Sequence, residues 1–201
     1  MALIDRLAGW WEVNDPPPTK FDMIALVSIG ATKSRLTKGA VVTVDKTLEL
    51  LEISSSRTPI IAFGAFTGNE VDGVEEAKKY EAFKDHPFLI SVGKVLSTIT
   101  ECLAFKEAWP HAKRIIFVTE QAHSRRAKII WNCLWPEAEI YVVSVKLTET
   151  VDKDSPMWPY RNALAAFLFQ ALPTPLYKVL AWLGPNAMTK FGGFHQPIKK
   201  G

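Results

Sequence analysis

Only two cysteines, Cys102 and Cys133, occur in the 201 residues, and no CxxC pair is present. Their scarcity excludes a thiolate metal centre and a disulfide-stapled scaffold, and leaves two thiols suited to a core, where free cysteines usually sit. An excess of one charge is also missing: 24 Lys and Arg against 21 Asp and Glu leave a net +3, with the basic residues scattered along the chain. Charge therefore gives no reason to expect a nucleic acid partner. Neither Gly-x-x-x-x-Gly-Lys-Ser/Thr nor GxGxxG is present, which sets aside nucleoside triphosphates held by a P-loop and a standard nicotinamide site. Met1 to Trp11 lacks the basic start, apolar stretch and cleavage site of a secretory signal, so a cytoplasmic protein is expected. The longest apolar region, Ala163 to Leu183, is interrupted by Gln170, Pro173, Pro175 and Lys178. It falls short of the ~20 clean apolar residues of a spanning helix, and two short helices meeting at the prolines are expected instead.

What is present, 48% hydrophobic and 22% charged residues, fits one ordinary domain with a core large enough to fold alone. Leu3, Leu7, Trp10 and Trp11 share one side of a short N-terminal helix, which Asp15-Pro16-Pro17-Pro18 stops. The pattern then alternates: strands at Met23–Ile29, Pro59–Phe63, Phe88–Ser91, Arg114–Val118 and Glu139–Val145, and helices at about Gly39–Ile53, Val74–Lys84, Val95–Trp109 and Gln121–Leu134. Continuous apolar runs such as Met23 to Ile29 and Ile115 to Val118 belong to strands covered on both faces. The expected fold is therefore α/β: a Rossmann-like three-layer sandwich with a mostly parallel five-stranded sheet and flanking N- and C-terminal helices. Residues 1–18 form the N-terminal helix and proline-rich linker, 19–150 the α/β domain, and 151–201 a helical extension packing on it.

In such a sheet a ligand lies beyond the carboxyl ends of the strands, so the loops there carry the chemistry. The first supplies Gly30, for close backbone approach, and Arg35, for gripping phosphate or carboxylate. After the second strand Gly64 opens a turn that precedes a helix bearing Glu75 and Glu76. The third helix begins near Thr98 and Glu101, and the fourth strand delivers Thr119, His123, Arg125 and Arg126 to a helix start, where backbone amides favour an anion. His123, Glu76 and Glu101 are the acid and base candidates; Gly30, Arg35, Gly64, Thr98, Thr119 and Arg126 are the ligand-binding candidates. Arg125 and Arg126 point about a hundred degrees apart on a helix, and Arg125 is assigned to the solvated surface. Glu76 and Glu101 also suit helix N-termini, and Arg35 suits a loop-holding ion pair. No histidine has a second ligand at metal spacing, so no metal site is expected.

A strand ending in Val118-Thr119, with His123 four residues after the threonine and Arg126 and Ala127 three and four residues after the histidine, resembles the bacterial family of YdcF, SanA and ElyC. Gly30, Arg35-Leu36 and Glu76-Ala77 match further positions of that family, over roughly Asp22 to Val145. Where the family has Asn-Thr-x-Glu-Asn, this chain has Thr98-Ile99-Thr100-Glu101-Cys102, and Gly64-Ala65 stands for a Gly-Gly turn, so it resembles a divergent member without the N-terminal anchor of SanA and ElyC. The resemblance implies a Rossmann-like fold and a polar cleft for a small anionic molecule. It also implies S-adenosylmethionine as the cofactor to test and, for the membrane-anchored members, a link to the cell envelope and its lipid carrier. Hydrolysis or transfer at a phosphate ester is instead what the residue set itself suits, with Gly30, Arg35 and Arg126 holding the phosphate and His123 acting with Glu76 or Glu101. The alternative is a non-catalytic ligand sensor or envelope-associated protein. The apolar termini are expected to pack on the domain, with peripheral membrane contact or a homodimer as the alternatives.

Overall fold

The computed structural model describes residues 3–26, 31–32, 35–54, 60–66, 76, 78–79, 89–95, 97–155 and 157–193. In chain order these form α1 (Leu3–Trp11), β1 (Met23–Leu26), α2 (Lys38–Ile53), β2 (Ile60–Phe66), β3 (Leu89–Val95), α3 (Thr98–Ala108), β4 (Arg114–Glu120), α4 (Gln121–Leu134), β5 (Glu139–Val145) and α5 (Leu147–Thr150). A short 3-10 turn (Trp158–Arg161), α6 (Ala163–Ala171), α7 (Thr174–Leu183) and α8 (Pro185–Gly193) follow. Residues 27–29 of the expected first strand, and the expected helix at 74–84 apart from Glu76, Lys78 and Lys79, lie outside the described residues.

The molecule is an α/β structure with a parallel sheet flanked by helices. The strands lie in the order β3-β2-β1-β4-β5, each neighbouring pair parallel. Alternate side chains of one strand serve opposite faces. Met23, Ala25, Ile115, Phe117 and Val142 face α3 and α4, which contribute Ile99, Phe105, Ile130 and Trp131. Ile24, Leu26, Ile116, Val118 and Val143 face α2, which contributes Ala40, Val44 and Leu50. That two-sided burial is why the strand sequences are apolar without alternation.

Local chemistry sets the element ends. Thr37 caps α2 by accepting the Ala40 N–H at 3.3 Å. Ser97 and Thr100 form a reciprocal capping box that starts α3, so the helix begins three residues later than the expected Val95, which instead ends β3. β4 runs two residues past the expected Val118, because Thr119 and Glu120 pair in register with Ser144 and Val145 of β5. The segment after α1 lies along the outer edge of β5: Asp15 N–H donates to Val142 O (2.7 Å), its carboxylate accepts from Val142 N–H, and Asn14 Oδ1 accepts from Ser144 N–H. The sheet edge is thereby covered.

The C-terminal helices lie against α4. Ala166, Gln170 and Thr174 are buried, and Tyr177, Leu180 and Ala181 pack on the core beneath α3 and α4. Leu172 and Pro173, between α6 and α7, both keep right-handed helical angles. Ala163–Leu183 forms two helices meeting at Leu172 and Pro173, as expected from the prolines, although by length and composition alone the stretch does reach what a membrane-crossing helix needs. In α8, a Cβ at Gly192 would stand 2.5 Å from Ile99 Cγ2. Gly192→Ala is therefore expected to cost about 1–3 kcal/mol through overpacking, read as a lower urea midpoint; an unchanged midpoint would show that α8 does not seat on α3.

Candidate functional site

The chain steps outward from β1 through β2 to β3, then returns to place β4 on the other side of β1. The connections leaving β1 and β4 therefore diverge, and the crevice between them is where an open α/β sheet holds ligands. β4 ends in Thr119 and Glu120, and α4 begins at once with Gln121. Thr119, Glu120 and His123 are all buried at this junction.

His123 is bound on both sides. Its Nδ1 lies 3.0 Å from Thr119 Oγ1 and its Nε2 lies 3.0 Å from Thr98 Oγ1. A neutral imidazole carries one N–H, so one threonine receives a proton and the other donates one. Burial, reinforced by the positive charge of Arg126, holds the His123 pKa well below the ordinary histidine range. The ring is therefore neutral at physiological pH, the form that accepts a proton. Thr98, from the start of α3, is thus tied to α4 through the ring.

Glu101 lies one turn beyond Thr98 on α3, where residues three apart share a face. It is fully buried and neither carboxyl oxygen has a protein partner among the described residues. Burial pushes its pKa up to about 8, so the group is a neutral acid at pH 7, able to donate a proton or a hydrogen bond. The buried Nε of Arg126 is likewise unpartnered, while the guanidinium carbon stands 5.6 Å from the Tyr177 ring centroid.

A second carboxyl, Glu120, belongs to the same junction. It caps α4 by accepting the Ala122 N–H at 3.0 Å, and its other oxygen accepts the Tyr160 hydroxyl at 3.3 Å. Gln170 of α6 in turn donates to that hydroxyl. Burial raises Glu120 to about 7 against the opposing pull of the cap bond and of Arg126. The sequence reading missed Glu120, Tyr160 and Gln170. Glu120 carried a signal, an acid between an apolar strand and a helix, where the dipole favours it; Tyr160 and Gln170 arrive from a distant segment and carried none.

Arg35 and Glu76 lie elsewhere. Together with Lys38, Lys79 and Asp152 they line a cleft of about 500 Å³. The Arg35 guanidinium donates to Asp152 at 2.9 and 3.3 Å and to Asp154 at 3.0 Å, which holds the loop after β1 to the segment after β5. Those bonds keep the Asp152 carboxyl down at about 2. Glu76 is paired with Lys79. Tyr160 joins the cleft to the buried cluster, because its carbonyl accepts the Asp152 N–H at 3.0 Å while its hydroxyl reaches Glu120.

No family model, curated protein or solved structure matches this chain. Of the residues singled out in the sequence, His123, Thr98 and Thr119 are hydrogen-bonded together, Arg126 is close enough for its charge to act on His123, and Glu101 follows one turn beyond Thr98 on α3. Gly64 lies within β2, where the pairing with β3 shifts register between Phe63 and Ala65. Gly30 lies outside the described residues. Arg125 differs from its assignment to the solvated surface: its Nε donates to Trp11 O at 2.7 Å and its guanidinium lies over the Trp11 ring, so it fastens α1 to α4.

Proposed function

We propose that the protein is a Rossmann-like ligand-binding domain of the YdcF kind. It takes a small anionic molecule, a phosphate ester, nucleotide or S-adenosylmethionine-like compound, beside His123 at the carboxyl ends of β1 and β4. The strand order, which reverses between those two strands, supports the Rossmann-like reading. The observation that carries the ligand assignment is the orphaned, buried Nε of Arg126, whose charge acts on the neutral His123 ring. Buried polar atoms are almost always partnered. An anionic oxygen accepting from the guanidinium would satisfy this Nε.

In the catalytic form of this reading His123 takes the proton from an attacking hydroxyl or water as its oxygen bonds to phosphorus, and Arg126 stabilises charge on the phosphoryl oxygens. The P–O ester bond breaks with the imidazolium returning the proton to the departing alcohol, giving hydrolysis or transfer at a phosphate ester. A second reading, ligand sensing without chemistry, is favoured by the engagement of both ring nitrogens with threonines. One set of measurements addresses both. Calorimetric titration with inorganic phosphate, nucleotides and S-adenosylmethionine is expected to find a binder whose Kd weakens about 10- to 100-fold in Arg126→Gln, the loss expected of a charge-assisted bond. A phosphate-ester screen is expected to lose turnover in His123→Gln while ligand binding persists. Turnover by neither protein assigns the sensing role; absence of any binder sinks both readings.

A further inference from the structure

We propose that the outer face of α6 and α7, continued by α1, docks in the plane of an anionic lipid surface. Leu164, Leu168, Leu172, Leu176, Val179 and Leu183 are all exposed. Their spacing of three or four residues puts them in one stripe along the helices. With 21 residues from Ala163 to Leu183, the stripe is about 30 Å long. On α1, Leu3, Leu7 and Trp10 make a second exposed row at the same spacing, and the Trp11 ring meets Phe167 of α6 edge-on at 6.1 Å, which sets the two helices side by side. Exposed apolar area this extensive marks an interaction face.

Three features fit lipid as the occupant. Three tryptophans are among the most exposed apolar side chains: Trp10 is 79% exposed, Trp158 69% and Trp182 84%, and this side chain settles at the boundary between headgroups and acyl chains. The charge is mostly of one sign: Met157 to Gly201 contains five Lys and Arg and no Asp or Glu, and α1 adds Arg6 beside a single acid, Asp5. Among the described residues, Arg161 precedes α6, Lys178 sits within α7 and Lys190 within α8, and all three are exposed. Cations flanking an apolar stripe suit anionic headgroups.

A second copy fits less well. A two-fold interface brings the same patch to itself, so the cations of α6 to α8 would face one another with no carboxylate of that segment to pair them. The inward sides of the helices also matter. Gln170 and Thr174 are buried, and Tyr177 and Leu180 pack on the core, so the pair lies along the domain and presents only its outer side. That geometry gives in-plane docking and leaves the domain on the water side.

The test is flotation of the full chain with vesicles of phosphatidylcholine alone and of phosphatidylcholine mixed with phosphatidylglycerol, with brominated acyl chains as quenchers of tryptophan emission. The protein is expected to float with the mixed vesicles, to be quenched there, and to be released by high salt. Combined Trp10→Ser, Leu172→Ser and Trp182→Ser substitutions are expected to lower the bound fraction about ten-fold or more, with the melting temperature unchanged because all three side chains are exposed. Lys178→Glu with Lys190→Glu is expected to abolish the preference for phosphatidylglycerol. The proposal is overturned if the intact protein stays with the buffer for both compositions. It is equally overturned if light scattering gives a dimer that the three serine substitutions dissociate, which assigns the face to a second copy.

Discussion

Raising the pH from about 5 to about 8 is expected to destabilise the fold, and Glu101→Gln is expected to remove most of that loss. The native carboxyl of Glu101 holds its proton up to about 8, against an ordinary value of 4.5. Between those values the folded state binds more protons than the unfolded chain, so the unfolding free energy falls as pH rises. The stabilising proton is fully present below about 4.5 and is lost as the pH passes 8. At about 1.4 kcal/mol per unit, the whole swing is at most on the order of 5 kcal/mol. Glu120 adds a swing of the same sign over a narrower window, 4.5 to about 7. The amide of Glu101→Gln is nearly isosteric and cannot ionise, so this variant should be the more stable protein at pH 8 and close to wild type at pH 5. Urea unfolding across that range measures it; parallel profiles for the two proteins would mean that Glu101 is not held dry.

The largest stability loss from a single truncation is expected for Trp131→Ala. Trp131 is fully buried on the face of α4 that meets the sheet. Its ring centroid lies 4.9 Å from that of Phe117 on β4, 5.4 Å from that of Phe105 on α3 and 6.2 Å from that of Trp135 one turn further along α4. Removing the indole deletes one of the largest side chains in the core and leaves three aromatic walls that cannot collapse together, at about 3–5 kcal/mol. The effect reaches the site, because Phe117 also packs against His123 at 6.1 Å. A denaturant midpoint within experimental error of wild type would contradict this account of how α3, α4 and β4 are held.

Much of this architecture could be read from the residues. α4 and β5 fall on their expected bounds, Gln121–Leu134 and Glu139–Val145, because an apolar run gives way to polar residues at both junctions and a helical period takes over between them. The strand-to-helix turn singles out Thr119 and His123 as separate site residues, while the hydrogen bond between them is added by the fold. Thr98 as the second partner required two helices from different parts of the chain to be adjacent, which no local pattern encodes. The engagement of Arg35 by Asp152 and Asp154 was hidden for the same reason, since 117 residues separate Arg35 from Asp152. The covering of Glu120 by Tyr160 and Gln170 was hidden too, because an apolar helix reads as amphipathic filler until its one buried amide finds a hydroxyl.

The position of Tyr177 has a mechanical meaning. It comes from α7, lies against the guanidinium of Arg126, and sits between Leu176 and Val179, whose side chains point away from the domain. On this side a single helix separates the surroundings of the molecule from the half-buried Arg126. A load placed on the outside of α7 has no second layer to absorb it and is passed directly to the aromatic ring that shields the charge. The outer surface and the polar interior therefore share one moving part.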